Sequence, residues 1–243
     1  MTGMVHFLHY LEDSYLKLFT YSSKSQGEIK ISFTDDGFSL HTKRLLLIPF
    51  TQVDREQLIK SCMQLYSSSD NVQLFGDGHC WSIEEVTTFV DKEIKHWQSG
   101  GGFGVFAIYE AGSNRFMGNL YVEFIPDDFA AIGVGHSNVA ELAYILDKQF
   151  WGKGYGTEIA VAGKKYVKYL HSQRVDAGQP IDFNEVVATV DPSNIGSRRI
   201  LEKTLKRTEP NIFTKYDHPR ILFFKSLSLP AQPSLANNNQ VSI

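Results

Sequence analysis

Three glycines stand at alternate positions, 152, 154 and 156, between two segments with different patterns of apolar residues. The segment before them, VAELAYIL from Val139, is apolar except for one glutamate and predicts a buried strand. The segment after them repeats apolar residues at helical spacing, at Ile159, Ala162, Tyr166, Val167 and Leu170. Glycines let the backbone approach an anion closely, and the first N–H groups of a helix have no partner inside it. The sequence therefore predicts a strand, a loop that binds a phosphate or pyrophosphate, and a helix.

Two familiar phosphate-binding loops do not fit this segment, WGKGYGTE, which begins at Trp151. No Lys-Ser/Thr pair follows its last glycine, as the loop of nucleoside triphosphatases requires, and its spacing is not GxGxxG. The acidic residue that supports a dinucleotide site about 20 residues further on is also absent. The alternative to an anion site is a tight turn that needs only positive φ angles.

The remaining chain alternates between patterns typical of strands and of helices. Helices are predicted over 1–20, over 54–66, after the capping box of Ser82 and Glu85, and from Asp191-Pro192. Strands are predicted within 29–50, on both sides of a turn at 111–114, over EVVATV, around 212–216 and from Ile221. A polar linker is expected at 21–27, and the tail from 227 is poor in bulky residues and is expected to be disordered.

Composition narrows the class of protein. With 243 residues, 42% of them hydrophobic, the chain is long enough for one large domain with appendages. A formal charge of -3 argues against a protein that binds the nucleic-acid backbone over its whole surface. Two cysteines, Cys62 and Cys80, are too few for a disulfide framework or a four-thiolate zinc site. No apolar run suits a signal peptide or a membrane span, so we expect a soluble, cytoplasmic protein that binds neither nucleic acid nor membrane.

Three segments occur in an order that points to a known family. LHTKRLLLIPF begins at Leu40, AELAYILDKQFWGKGYGTE follows in the middle of the chain, and VVATVDPSNIGSRRILEK comes late. They resemble the GNAT superfamily of N-acetyltransferases, and most closely its RimJ/RimL-type branch of ribosomal-protein N-terminal acetyltransferases and their relatives. The coenzyme loop of that superfamily, (Q/R)-x-x-G-x-(G/A), falls on Trp151 to Gly156, and the resemblance covers residues 40–226. The chain departs from the pattern by its Trp at the first loop position and by lacking Gly-Phe after the late helix.

The resemblance implies an α/β fold with a mixed, mostly antiparallel twisted sheet, flanked by helices and splayed at the acetyl-CoA site. It divides the chain into an N-terminal extension at 1–39, which holds the amphipathic helix and a strand, an acetyltransferase domain at 40–226, and the tail at 227–243. The N-terminal helix would pack on the main domain or on a second subunit, and the second arrangement would make a homodimer.

The resemblance also implies acetyl-CoA as the cosubstrate and no metal. Backbone N–H groups of Gly152 to Thr157 would hold the pyrophosphate, backbone groups near Ile145 and Leu146 would pair with the pantetheine arm, and Asn194 would contact that arm. A backbone N–H within 142–144 would polarise the thioester carbonyl. The full coenzyme set implied is Ile145, Leu146, Trp151, Gly152, Lys153, Gly154, Tyr155, Gly156, Thr157 and Asn194.

Direct transfer needs a proton acceptor for the attacking amine and a proton donor for the leaving thiolate. Glu141 matches a strand glutamate of this branch that takes the proton through water, and the alternative is an ordinary strand-end carboxylate in a salt bridge. Ser197 and Tyr144 compete for the role of proton donor, and Ser197 is favoured because it matches the serine of the late segment. Glu123 and His136 are reserve bases.

The expected function is transfer of an acetyl group from acetyl-CoA to a primary amine, either a protein N-terminus or a small molecule, without a covalent intermediate. The alternative is a protein of the same fold that binds acyl-CoA, or has lost it, and acts through interactions. The aromatic side chains Phe75, Trp81, Trp97 and Phe103 are candidates for an acceptor cleft, although most of them are expected in the core.

Overall fold

The computed structural model describes residues 17–35, 37–127, 135–180, 182–215 and 217–227. The strands are β1 (Lys17–Ser23), β2 (Gly27–Thr34), β3 (Gly37–His41), β4 (Leu45–Pro49), β5 (Gly104–Glu110), β6 (Phe116–Ile125), β7 (Val139–Leu146), β8 (Glu185–Val190), β9 (Lys206–Lys215) and β10 (His218–Ser226). The helices are α1 (Arg55–Tyr66), α2 (Ser69–Val72), α3 (Ile83–Gln98), α4 (Tyr155–Asp176) and α5 (Ile195–Thr204). Short 3-10 helices occupy Phe50–Gln52 and Lys148–Phe150.

The described strands form one sheet in the order β1-β2-β3-β4-β5-β6-β7-β8-β10-β9. Neighbouring strands are antiparallel except for β7 and β8, which are parallel. Parallel strands cannot be joined by a tight turn, and α4 makes the crossover between these two. The predicted mixed, mostly antiparallel sheet flanked by helices is confirmed.

The sheet opens between β7 and β8. Their pairing runs from Val139 opposite Glu185 to Glu141 opposite Val187. The two strands nevertheless continue, β7 to Leu146 and β8 to Val190. The last residues of β7 therefore have a pairing partner on the β6 side only, and the predicted splay of the sheet lies here.

Helices cover both faces of the central strands. The first layer is made by α1 and α3, which pack against β6 and β5, and the second by α4, which packs against β6 and β7. A Cβ added at Gly163 of α4 would lie 3.3 Å from both Leu120 and Leu142, so this helix lies unusually close to the sheet. The predicted capping box is present at the start of α3, where Ser82 and Glu85 each bond the backbone of the other.

The N-terminal part of the fold differs from the prediction. Residues 17–20, expected at the end of a helix, belong to β1, and Tyr21 to Ser23 pair with β2 instead of forming a linker. The apolar residues alternate in this strand, so that Phe19 packs against Tyr169 of α4 with ring centroids 4.8 Å apart. The predicted helix over 1–16 and the tail after Leu227 lie outside the described residues. In the described part of the chain, no helix combines the length and apolar character needed to cross a bilayer.

Candidate active site

A cavity of about 980 Å³ lies at the opening between β7 and β8. At one end it is lined by the glycine loop and the start of α4, and at the other by side chains of β6 and α3. Among the predicted coenzyme residues, all but Lys153 line this cavity. The two ends are therefore parts of one continuous space that passes through the sheet.

The glycine loop offers a row of free backbone donors. Among the described residues, no acceptor takes the N–H groups of residues 152–157, and the first bond of α4 runs from the N–H of Glu158 to the carbonyl of Gly154. Gly152 and Gly154 have φ angles of 73° and 82°, a conformation that side chains disfavour. Unpaired N–H groups at the positive end of a 22-residue helix suit an anion such as a pyrophosphate.

Arg44, which directly precedes β4, contacts the glycine loop outside the cavity. The guanidinium of Arg44 donates to the carbonyl of Lys153 at 2.9 Å and to the carboxylate of Glu158 at 2.7 Å. The Glu158 carboxylate also accepts from the hydroxyl of Thr42 at 2.5 Å and from the backbone N–H of Arg44 at 3.0 Å. Glu158 is only 1% exposed, so Arg44 supplies the positive charge that this buried carboxylate requires. No local sequence pattern indicates this contact, because Arg44 and Glu158 are 114 residues apart in the chain.

Two aromatic side chains of the loop are fixed by polar contacts. The guanidinium carbon of Arg44 lies over the ring of Tyr155, 4.2 Å from the ring centroid. The hydroxyl of Tyr155 donates to Glu110 at 3.1 Å. The indole N–H of Trp151 donates to the carbonyl of Leu146 at 2.9 Å, and 43% of the Trp151 side chain remains exposed. Both side chains therefore brace the loop, while its backbone faces the cavity.

The open edge of β7 presents particular backbone groups. A Cβ at Gly118 would overlap the carbonyl oxygen of Ile145, so that oxygen faces β6. Because backbone groups alternate in direction along a strand, the N–H and C=O of Tyr144 and the N–H of Leu146 face the opening. The carbonyl of Leu146 is already taken by Trp151. The backbone near Ile145 and Leu146 is predicted to pair with a ligand. The N–H and C=O groups of Ile145, however, point away from the opening.

The two candidate proton donors lie together. The hydroxyls of Tyr144 and Ser197 are 3.3 Å apart, on the face of the sheet that α4 and α5 cover. Burial raises the pKa of Tyr144, an effect that the contact with Ser197 partly offsets, so the phenol stays protonated at neutral pH. Asn194 caps α5 by accepting the N–H of Ser197 at 3.0 Å, so the late helix begins at Ile195 instead of at Asp191-Pro192.

Carboxylates gather on the opposite face of the sheet. Glu123 and Glu141 are direct cross-strand partners in β6 and β7, so their side chains lie on the same face. Both oxygens of Glu141 lie near the ammonium group of Lys215, at 3.0 and 3.2 Å, and one accepts from Thr189 at 3.3 Å. Burial and the negative charge of Glu141 raise the pKa of Glu123 to about 7. A carboxylate with this pKa can accept a proton and release it near neutral pH.

The helix α3 covers this end of the cavity. Its Phe89 and Glu93 line the space, together with Trp81 and Phe75 from the preceding segment. Glu93 is 2% exposed, and burial raises its pKa. Of the aromatic candidates from the sequence, Phe75 and Trp81 therefore line the cavity, while the buried side chains of Trp97 and Phe103 belong to the core.

The other reserve base lies elsewhere. His136 pairs with Glu185 near the start of β7 and is not among the residues that line the main cavity. Within the described ranges, no group of three or more His, Cys, Asp and Glu side chains is placed to hold a metal ion.

A comparison with protein-family models shows which family this chain belongs to. The acetyltransferase (GNAT) domain matches residues 44–204, about two thirds of the chain. The chain belongs to the GNAT acetyltransferase family. This match includes Arg44 at its first position, the glycine loop and the helix that carries Ser197.

Solved GNAT structures share the fold at low sequence identity. A GNAT-family acetyltransferase from Bacillus anthracis is 17% identical with a TM-score of 0.57, and the alignment covers 78% of this chain and 98% of that one. A ribosomal-protein-serine acetyltransferase from Vibrio cholerae, described as putative, is 21% identical with a TM-score of 0.50, covering 78% and 97%. RimL, an acetyltransferase of ribosomal protein L7/L12 solved with coenzyme A, is 17% identical with a TM-score of 0.50, covering 76% and 95%. These structures thus share the GNAT fold with this chain.

Gly154→Ala should weaken the binding of acetyl-CoA to this acetyltransferase fold by about tenfold or more. A side chain at a φ of 82° costs about 1–2 kcal/mol, and relief of that strain would turn the loop N–H groups away from the cavity. Gly112, in the β5–β6 hairpin, has the same φ of 82° and open surroundings, so Gly112→Ala is a matched control for strain. Calorimetric titration with acetyl-CoA measures both, and equal affinities would refute the assignment of the loop.

Proposed function

We propose that the protein transfers the acetyl group of acetyl-CoA to a primary amine by direct attack, the acceptor being a protein N-terminus or a small molecule. The observation that carries the proposal is the cavity through the sheet. It joins unpaired loop N–H groups at one end to the carboxylates of Glu123 and Glu141 at the other. An anionic coenzyme would enter from the first end and an amine from the second.

The coenzyme site would use mainly backbone groups. The N–H groups of residues 152–157 would donate to the pyrophosphate, and the C=O of Tyr144 with the N–H of Leu146 would bond the amides of the pantetheine arm. The amide oxygen of Asn194 is engaged in capping α5, which leaves its NH₂ group to donate to the arm. The coenzyme would thus take the place of the missing strand contacts between β7 and β8.

The attacking amine must be neutral, so a proton must leave it. Glu123 and Glu141 would accept this proton, directly or through a water, on the face of the sheet that α3 covers. The amine nitrogen then bonds to the acetyl carbon as the bond from carbon to sulfur breaks. The N–H of Tyr144, which faces the opening, would donate to the carbonyl oxygen while it carries negative charge.

The departing thiolate needs a proton from the other side. We assign that role to the hydroxyl of Tyr144, with Ser197 as the group that orients it, because a phenol is a far stronger acid than a serine hydroxyl. The proton acceptor and the proton donor would then lie on opposite faces of the sheet. This separation allows the amine and the coenzyme to approach the reacting carbon from different directions.

We place the protein in the cytoplasm. Both cysteines are free thiols, and Cys80 is exposed, which suits a reducing compartment better than an oxidising one.

Two measurements test the proposed function. Titration with acetyl-CoA should show binding in the micromolar range, about -8 kcal/mol, and addition of a panel of primary amines should release the free thiol of coenzyme A. Binding without thiol release on any amine would favour the alternative, a non-catalytic protein that binds acyl-CoA. Absence of binding would refute the proposed transfer and would favour the form of the alternative in which the fold has lost its coenzyme and acts through interactions.

A further inference from the structure

Glu93 is a buried acid whose charge the protein leaves partly uncompensated. It lies on the apolar side of α3, between the buried residues Val90 and Trp97, and it is 2% exposed. Its Oε2 atom has no hydrogen-bond partner among the described residues, and the Nδ1 atom of His96 lies 3.6 Å away. The same side chain lines the main cavity.

Two further carboxylates share this end of the cavity with Glu93, and Arg220 of β10 also lines the cavity. Glu123 and Glu141 line the same end of the cavity, and Glu93 acts on Glu123 strongly enough to raise its pKa. Lys215 is engaged with both oxygens of Glu141. Lys92 is an exposed residue next to Glu93 in α3. Its positive charge lowers the pKa of both Glu93 and Glu123.

Leaving a buried carboxylate oxygen unbonded is costly, because the group has lost its water without gaining a donor. In a native protein such a group calls for a physical reason, and a functional site that a ligand completes is one. An N–H donor with a positive charge would satisfy the free oxygen and would also stabilise the ionised form of Glu93. The aromatic faces of Phe89 and Trp81, which line the space beside it, suit the methylene chain or the charge of such a ligand.

We propose that the acceptor carries a second positively charged group, an ammonium or guanidinium, that binds Glu93 while its reacting amine lies at Glu123 and Glu141. This inference rests on the proposed function and names the class of amine that it takes. Two sources share the chemistry: a free aliphatic diamine, and a peptide whose N-terminal residue is followed by a basic side chain.

The experiment compares acceptors that differ only in the second charge. The kcat/KM for thiol release is measured for putrescine against butylamine, for cadaverine against pentylamine, and for the dipeptide amide Ser-Lys against its norleucine analogue. The wild-type protein should favour the charged member of at least one pair by about tenfold or more. The pair that shows the preference identifies the source of the second charge.

Variants assign the preference to Glu93. Glu93→Gln keeps the size of the side chain and should bring the two members of the pair to similar kcat/KM. The change should come from a higher KM for the member that carries the second charge. Glu56→Gln removes an exposed carboxylate of α1, outside the cavity, and should keep the wild-type preference. Melting temperatures and acetyl-CoA titration show that each variant is folded.

The outcomes separate this inference from the proposed function. If acceptors without the second charge are acetylated as well as their partners that carry it, the second-charge inference is overturned while the acetyltransferase activity stands. A wild-type preference that survives Glu93→Gln also overturns it, because the charge would then be bound elsewhere. If acetyl-CoA binds but no acceptor releases thiol, the proposed function itself fails.

Discussion

Replacing Arg44 by methionine should reduce the affinity for acetyl-CoA more than any other single change outside the cavity. The methyl thioether keeps much of the bulk of Arg44 over Tyr155 but leaves the Glu158 carboxylate, 1% exposed, with only the hydroxyl of Thr42 and a backbone N–H as donors. Glu158 lies in the first turn of α4, beside the loop that would hold the pyrophosphate. Two unit charges about 8 Å apart at an effective dielectric constant of about 20 interact by about 2 kcal/mol, or about 30-fold in affinity.

A double variant separates charge from packing. Glu158→Gln removes the uncompensated charge, so Arg44→Met combined with Glu158→Gln should bind acetyl-CoA more tightly than Arg44→Met alone. Arg55→Met is the matched control, because Arg55 also pairs with carboxylates but at an exposed site between α1 and α3. Calorimetric titration at two salt concentrations gives the affinities. Equal affinities for the single and double variants would mean that Arg44 acts only by holding the loop carbonyl of Lys153.

Local signals explain why most elements could be predicted. The capping box at Ser82, the hairpin turn at 111–114 and the glycine loop each depend on neighbouring residues, and each appears where the sequence placed it. The helix predicted over residues 1–20 was wrong in its last part because Phe19 continues the helical spacing before it, but also forms an alternating pattern with Tyr21. The partner that decides between them, Tyr169 of α4, is about 150 residues away in the chain and is invisible to local reasoning.

The same distinction holds at the candidate site. The loop glycines and Ser197 became candidates because a family pattern marks them. Lys215, Arg44 and Glu93 did not, because the contacts of each join distant segments of the chain. A sequence signal did exist for two acids, since Glu93 and Glu158 interrupt the apolar stripes of their helices, where a charged residue needs a buried partner or a ligand.

Glu123→Gln should lower kcat/KM by about a hundredfold or more, the usual contribution of a positioned base. The pKa of Glu123 is raised to about 7 by burial and by the charges of Glu141 and Glu93, and it is lowered by Lys215 and Lys92. In the proposed function its ionised form accepts the proton, so kcat/KM of the wild-type protein should rise with pH through an inflection near 7. Glu123→Gln should abolish that inflection and leave the rise that comes from the acceptor amine at higher pH.

Glu141→Gln decides between the two carboxylates. It removes the negative charge that raises the pKa of Glu123 and frees Lys215 to lower it further, so the inflection should move to lower pH and persist. If Glu141→Gln abolishes the inflection and Glu123→Gln only shifts it, Glu141 is the base, as the sequence alone predicts.

Stability gives a readout of Glu123 that does not depend on activity. A carboxyl whose pKa rises on folding stabilises the protein fully below its unfolded value, near 4.5, and this contribution is lost as the pH rises through about 7. The free energy of unfolding of Glu123→Gln, relative to the wild type, should therefore increase from pH 4 to pH 8 by up to about 3 kcal/mol. Urea titrations across this range measure the difference. A constant difference would show that Glu123 titrates normally, and the inflection in kcat/KM would then need another group.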